Sequence, residues 1–298
     1  MRTVREVGQA QVILVSDTHL SPTAPAAQSN WEAVLRAITA AAPDLVLHLG
    51  DLSLDGAHDP GDLEFGRRQL DRLPAPWRVV PGNHDVGDNP RADWPEASGR
   101  PAGPADDAIN MVRHERWTEV VGADRWSTAT GGWTVLGVNA QLFGSGLAAE
   151  HGQWSWIEGE AQASSAGQPV VLVMHKPLTG QDAELARSPE RRFVPARARH
   201  RLRRLFAGTR LALVLSGHVH QYRWLSLDGL DHLWVPTTWA VLPDEVQPVL
   251  GAKRCGIVSL TLDADAPPRH GLIEPDGMVQ QMLIRDLPDP YHRRRAPG

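Results

Sequence analysis

Asp17-Thr18-His19, Gly50-Asp51, Gly82-Asn83-His84-Asp85, His175 and Gly217-His218-Val219-His220 are the segments of this sequence whose residue types and spacing can do chemistry. Carboxylate, imidazole and amide groups with no thiolate among them suit Mn, Fe, Zn or Co better than a soft metal. Asp17 with His19, and His218 with His220, are spaced i, i+2, which in extended chain puts both side chains on one side of the backbone. Each pair therefore offers two ligands to a small site without a helix. Together the five segments supply ligands enough for two cations, a pattern that points to chemistry on phosphate esters. The glycines ahead of Asp51, Asn83 and His218 fit tight turns, where a side chain would block close approach of backbone to ion.

Ligands so far apart in sequence need a common frame. Val12–Val15 is a short continuous apolar run ending in polar residues, the pattern of a buried strand. Ser29-Asn30-Trp31-Glu32 has the form of a capping box, and Val34, Leu35, Ile38 and Ala42 follow at helical spacing. Leu45–Leu49 is the next strand, Asp62–Leu73 a second helix and Trp77–Val80 a third strand. This βαβαβ order predicts a parallel sheet with right-handed crossovers. Ligands gather at the carboxyl ends of such strands, and Asp17, Asp51 and Asn83 each follow one. Trp133–Val138, Val170–Met174 and Leu211–Leu215 read as further strands, the last two delivering His175 and His218, with a helix over Ala196–Phe206. Tyr222–Leu227, a turn at Asp228-Gly229 and Leu233–Val235 form a hairpin. Gly256–Leu262 and Met278–Ile284 are expected to extend that second sheet. Asp88–Asp107 and Thr179–Pro195 read as long polar loops, and Tyr291–Gly298 as a disordered basic tail. No internal repeat or linker divides residues 1–290, which are expected to form one domain.

Composition limits the partners. A net charge of −5 argues against wrapping a nucleic-acid duplex. It is compatible with a small anionic substrate, because two bound cations reverse the local field. Cys255 is the one cysteine and cannot close an internal disulfide. Met1–Ala10 is polar, and Val12–Val15 is too short for a signal or a span. The expectation is a cytoplasmic protein with no membrane segment; the oligomeric state is left open. Lys176 and Lys253 are the only lysines, a bias we assign to codon composition.

The five motifs, D-x-H, G-D, G-N-H-[DE], H and G-H-x-H, are those of the calcineurin-like metallophosphoesterases, which this chain resembles from Ile13 to about Tyr222. The spacing is most similar to the bacterial class III cyclic-nucleotide phosphodiesterase branch. The resemblance implies an α/β fold, a four-layer αββα sandwich of two mixed β-sheets flanked by helices. It implies Asp17, His19, Asp51 and His220 around one metal, and Asp51, Asn83, His175 and His218 around the other, with Asp51 bridging. Two such ions, about 3.5–4 Å apart, supply a hydroxide nucleophile near neutral pH. Asn83 would help neutralise the phosphoryl oxygens, and His84, as an imidazolium, would serve the leaving oxygen. Cleavage of a phosphodiester is the leading expectation. A phosphomonoesterase, a nucleotide or lipid pyrophosphohydrolase and a non-catalytic scaffold are the alternatives. The polarity of Asp88–Asp107 disfavours a lipid substrate, and the intact motifs disfavour a scaffold. One departure stands out. Relatives often place an aspartate three residues after the bridging one to orient the G-N-H histidine; here that residue is Leu54, leaving Asp55 or Asp85 for the role. Lys176, where relatives carry His or Pro, is a contact for substrate phosphate or else a solvent-facing side chain.

Other residues carry blander readings. His48 lies within a strand run and is expected to be a hydrogen-bonded structural histidine; His58, His114, His151, His200 and His232 lack a motif partner. Among eleven tryptophans, Trp31, Trp77, Trp133 and Trp234 are assigned to the core. Trp94 and Trp239 follow motif strands and are the candidates to stack on a substrate base. Arg197, Arg199, Arg201, Arg203 and Arg204 are spread too widely around their helix for one phosphate cluster.

Overall fold

The computed structural model describes residues 8–90, 107–164, 167–180 and 192–286. Trp94, most of the Asp88–Asp107 loop, residues 181–191 and the basic tail lie outside the described residues.

Strand β1 (Ala10–Val15) shows why its apolar run is continuous: Val12 and Leu14 point into one core, Ile13 and Val15 into another. It pairs in parallel with β2 (Leu45–His48), and β2 in parallel with β3 (Trp77–Val79). Helices α1 (Pro25–Ala41) and α2 (Pro60–Leu70) make the crossovers, and α3 (Asn83–Val86) is a single turn after β3. Helix α1 begins four residues before the expected capping box, because Pro25 presets the first helical φ. Ser29 is therefore an exposed residue inside the helix. Asn30 is buried instead, donating to the carbonyls of Thr238 and Val279 at 2.8 and 3.0 Å.

After α4 (Met111–Val120) the second sheet begins with the antiparallel pair β4 (Trp126–Thr130) and β5 (Trp133–Gly137). Helix α5 (Ala148–Ala163), β6 (Pro169–Val173), α6 (Ala196–Leu205) and β7 (Arg210–Ser216) continue it, with β5, β6 and β7 parallel. The hairpin of β8 (Arg223–Leu227) and β9 (Leu230–Trp234) turns at Asp228 and Gly229, whose φ of 53° and 76° match the two left-handed positions of its tight turn. β9 then runs parallel to β7.

One expectation fails here. β10 (Ile257–Asp263) does not extend the second sheet; it pairs antiparallel with β1 in the first. Its Val258, Leu260 and Leu262 alternate into the sandwich core, and only that register buries them. β11 (Ala266–Ile273) closes that edge, where the ladder tolerates Pro267 and Pro268. Met278–Ile284 makes a lone bridge between Val241 and Met282 in place of a strand. The first sheet has order β11-β10-β1-β2-β3, the second β4-β5-β6-β7-β9-β8. Their facing sides share one apolar core; α1, α2 and α4 cover the outer side of the first sheet, α5 and α6 that of the second. The result is a four-layer αββα sandwich. Five parallel strands, β1, β2 and β3 in one sheet and β6 and β7 in the other, end at loops that bring the motif residues together.

Candidate metal centre

Asp17 and His19 follow β1, Asp51 follows β2, Asn83 and His84 follow β3, His175 follows β6, and His218 and His220 follow β7. Three groups of side chains meet there with ligand atoms within 4.8 Å of one another: Asp17, His19 and His220; Asp51, His175 and His218; His19, Asp51 and His84. Asp51 Oδ2 is 3.2 Å from His175 Nε2 and 3.8 Å from His19 Nε2. Asn83 Oδ1 lies 3.3 Å from His175 Nε2. One carboxylate thus faces both halves of the cluster.

Main-chain N–H groups hold both carboxylates, the His218 N–H reaching Asp17 Oδ1 at 3.2 Å as well as Oδ2. Asp51 Oδ1 accepts the His84 backbone N–H at 2.9 Å, leaving Oδ2 toward the histidines. Asp17 Oδ2 accepts from Ser16 Oγ at 2.5 Å and the His218 N–H at 3.0 Å, while Oδ1 lies 3.3 Å from His220 Nε2. Main-chain carbonyls orient the rings: Leu49 takes His175 Nδ1–H at 2.8 Å, Ala240 takes His220 Nδ1–H at 2.6 Å, and Leu54 takes His84 Nδ1–H at 2.7 Å. Those bonds make Nδ1 the donor and turn Nε2 of each ring inward.

The donor set fits cations. His220 Nε2 sits 3.2 Å from His19 Nε2, and His175 Nε2 sits 3.2 Å from His218 Nδ1. Each approach sets two imidazole nitrogens against one another, an arrangement that a proton or a cation between them stabilises. The electrostatics agree. Burial alone would lower the His175 pKa, but the adjacent Asp51 carboxylate pushes it up to about 9. His220 is likewise raised against its burial by Asp17. Burial would raise Asp51, yet His175 and His84 hold it well below the usual carboxylate range. His19 is lowered by burial and by His84. A buried pocket that keeps Asp51 ionised and draws protons onto His175 and His220 is one that favours added positive charge.

The backbone is shaped for this convergence. Asp17, His19, Asp51, His218 and His220 all have positive φ, between 47° and 69°. The glycines are required by neighbouring ligand loops rather than by room for an ion alone. A Cβ on Gly82 would fall 2.1 Å from Asp51 Oδ1, and one on Gly217 1.9 Å from Ser16 Oγ.

Neither carboxylate considered for orienting His84 is its bonded partner in the geometry above; the Leu54 carbonyl is. Asp85 instead accepts from Leu52 N, Ser53 N, Ser53 Oγ and Gly82 N at 2.6–3.1 Å, tying the loop after β2 to the turn after β3. Burial, then the Asp51 charge, raise its pKa to about 6. Asp55 bonds His58 at 2.9 Å. Lys176 meets neither expectation: it is 0% exposed, and its ammonium is bound by Asp88 and Asn89. An ammonium in so buried a place requires such partners. Trp239 is also buried, its ring centroid 4.7 Å from that of His19, so it backs a ligand rather than offering an open face.

Apart from Trp239, the segment after β9 carries no residue whose type marks it in the sequence, yet it braces the site. Thr237 Oγ1 donates to the Asp17 carbonyl at 2.8 Å, and Ala240 orients His220. The available signal was topological: a strand parallel to β7 must end at the same edge.

A two-sheet sandwich with a buried aspartate–histidine cluster at the carboxyl ends of its parallel strands defines a metal-dependent hydrolase scaffold. The family model for calcineurin-like phosphoesterase matches residues 10–222, and the chain belongs to that family of metal-dependent phosphoesterases. No curated protein matches the chain. Among solved structures, it is similar to the purple acid phosphatase PPD1 from yellow lupin (Lupinus luteus) seeds, with TM-score 0.60 and 16% identity. That match covers 93% of this chain and 55% of the lupin protein, so this chain spans little more than half of that relative. A dimetal phosphatase from Danio rerio matches with TM-score 0.54 and 11% identity over 85% of this chain and 93% of its own. GAP50, the anchor in the inner membrane complex of Plasmodium, matches with TM-score 0.58 and 10% identity over 91% and 86%. At such identities the likeness is one of fold. Among the described residues no helix is long and apolar enough to cross a membrane.

Proposed function

We propose that this chain hydrolyses a small phosphodiester, cyclic-nucleotide-like or related, at a dinuclear metal centre. Asp17, His19, Asp51 and His220 hold one ion; Asp51, Asn83, His175 and His218 hold the other. The observation that carries this reading is the position of Asp51 Oδ2, shared between the two clusters and 3.2 Å from His175 Nε2. When bound, two such ions acidify water and act as Lewis acids on phosphoryl oxygens.

The chain's own residues do the rest. Asp51 and Asp17 are both held by backbone N–H groups, so the ligand geometry is preorganised. His84 is aimed by the Leu54 carbonyl so that Nε2, 4.0 Å from Asp51 Oδ2, faces the reacting group. Protonated there, it donates to the leaving oxygen. The preference for a diester is supported by Lys176, whose charge is already matched by Asp88. A monoester dianion benefits more than a diester monoanion from an extra cation, and this lysine does not supply one. The single cysteine, closing no internal disulfide, supports a cytoplasmic enzyme.

Hydrolysis of bis-p-nitrophenyl phosphate and p-nitrophenyl phosphate with Mn²⁺ tests the reading. A higher kcat/KM for the diester is expected; a strong bias to the monoester overturns it.

A further inference from the structure

Thr18 stands between two ligand positions, and its own side chain is committed elsewhere. Its Oγ1 lies 3.0 Å from His48 Nε2 and 2.9 Å from the Leu52 carbonyl, and both Thr18 and His48 are 1% exposed. His48 Nδ1 accepts the Gly50 N–H at 3.3 Å, which places the ring proton on Nε2, directed at Thr18. The threonine hydroxyl accepts that proton's hydrogen bond and donates its own to Leu52. The result is a directed chain, with the Asp51 carbonyl a second, longer acceptor for the hydroxyl at 3.5 Å. It runs from the last residue of β2 to the loop after β1 and back to the loop after β2. Burial lowers the His48 pKa to about 4, in keeping with the neutral ring the chain requires.

The two loops it joins are strained. Asp17 and His19 have φ of 51° and 47°, and Gly50 and Asp51 have 93° and 51°. For residues other than glycine, each such conformation costs on the order of 1 kcal/mol and persists only where the surroundings enforce it. Main-chain bonds from Asp17 N to Gly50 O and from His19 N to Asp51 O, at 3.0 and 3.1 Å, lay the loops side by side. Thr18 and His48 add the side-chain rung at the same level.

We propose that Thr18 and His48 are positioning residues: their hydrogen-bond chain fixes the offset between the Asp17–His19 turn and Asp51, and so sets the affinity of the centre for the ion those residues share. This inference rests on the dinuclear reading above. It concerns residues that touch no ligand atom of the cluster directly and that the five motifs leave unspecified.

Titration of the metal-free full chain with Co²⁺, followed by its visible absorption, tests it. Wild type takes up two equivalents. Thr18→Val, which keeps the shape and loses the hydroxyl, weakens one equivalent by about tenfold to a hundredfold, the range for residues that orient metal ligands. Thr18→Ser restores it. His48→Phe, which removes both ring bonds, reproduces the loss and decides the matter if Thr18→Val does not fold. In Mn²⁺-limited assays the variants lose kcat while KM for bis-p-nitrophenyl phosphate is unchanged, a split that general destabilisation does not produce. Variants that bind both equivalents as tightly as wild type overturn this inference alone. A wild-type chain that binds no Co²⁺ overturns the metal reading and the inference with it.

Discussion

In the loop after β1, two ligand-type residues at φ 51° and 47° flank Thr18, whose hydroxyl is hydrogen-bonded across to the loop after β2. In the loop after β7, two more at φ 69° and 52° flank Val219, which is fully buried in an apolar cluster with Phe193, Leu225 and Trp234. The backbone device is the same, a pair of left-handed residues aiming two side chains at one point. The anchoring differs. The first loop is registered by polar bonds to a neighbouring loop, the second is seated on core. The reason lies in Asp51. It serves both clusters, so the loop beside it is placed by a side-chain bond at its centre, whereas His218 and His220 take their polar bonds from Asp17 and Ala240 around an apolar centre.

That contrast can be broken at its hinge. Asp51→Asn removes the group common to both halves and is expected to lower kcat by about a thousandfold or more, with metal content falling below two equivalents in elemental analysis. Gly217→Ala attacks the junction between the loops, where a Cβ would lie 2.6 Å from Asp17 Oδ2. Displacing ligands by about 1 Å costs about a hundredfold in rate, and a matching fall in Co²⁺ uptake by the folded protein is expected. Val219→Thr sharpens the comparison from the other side. It buries a hydroxyl among apolar side chains at about 1–3 kcal/mol, seen as a lower urea midpoint, while two equivalents of Co²⁺ still bind.

The smallest effect concerns acid. His48, beside the first loop, and His232, in mid-strand on β9 opposite Val214 of β7, are both lowered to about 4, by burial foremost. His48 has its two bonds; His232 has neither ring nitrogen paired. A neutral histidine whose folded pKa lies below its unfolded value of about 6.5 costs nothing at pH 7. As pH falls from about 6.5 toward 4 the unfolded chain takes up protons the folded chain refuses, so stability falls. His232→Leu is expected to stabilise the fold by about 1–3 kcal/mol more at pH 5 than at pH 7.5, by urea denaturation at the two pH values.

Much of this site was legible because its residues stand in short motifs behind apolar runs. The βαβαβ order alone places Asp17, Asp51 and Asn83 at one edge. What escaped was decided by partners distant in sequence. β10 joined the first sheet because of how Val258 and Leu260 alternate against Val12 and Leu14, a pairing across about 250 residues that no local pattern encodes. The carbonyl groups that aim His84, His175 and His220 have no side-chain signature at all, which is why Leu54, whose side chain suggested a missing orienter, supplies one through its backbone. Lys176 read as a free charge because Asp88 and Asn89 lie almost ninety positions earlier.

The central claim is that two cations share Asp51. Anomalous diffraction from a crystal of the full chain equilibrated with Mn²⁺ tests it most directly. Two peaks flanking Asp51 Oδ2, about 3.5–4 Å apart, one beside His19 and His220 and the other beside His175 and His218, are the predicted result. A single peak, or none within coordination distance of Asp51, would contradict it.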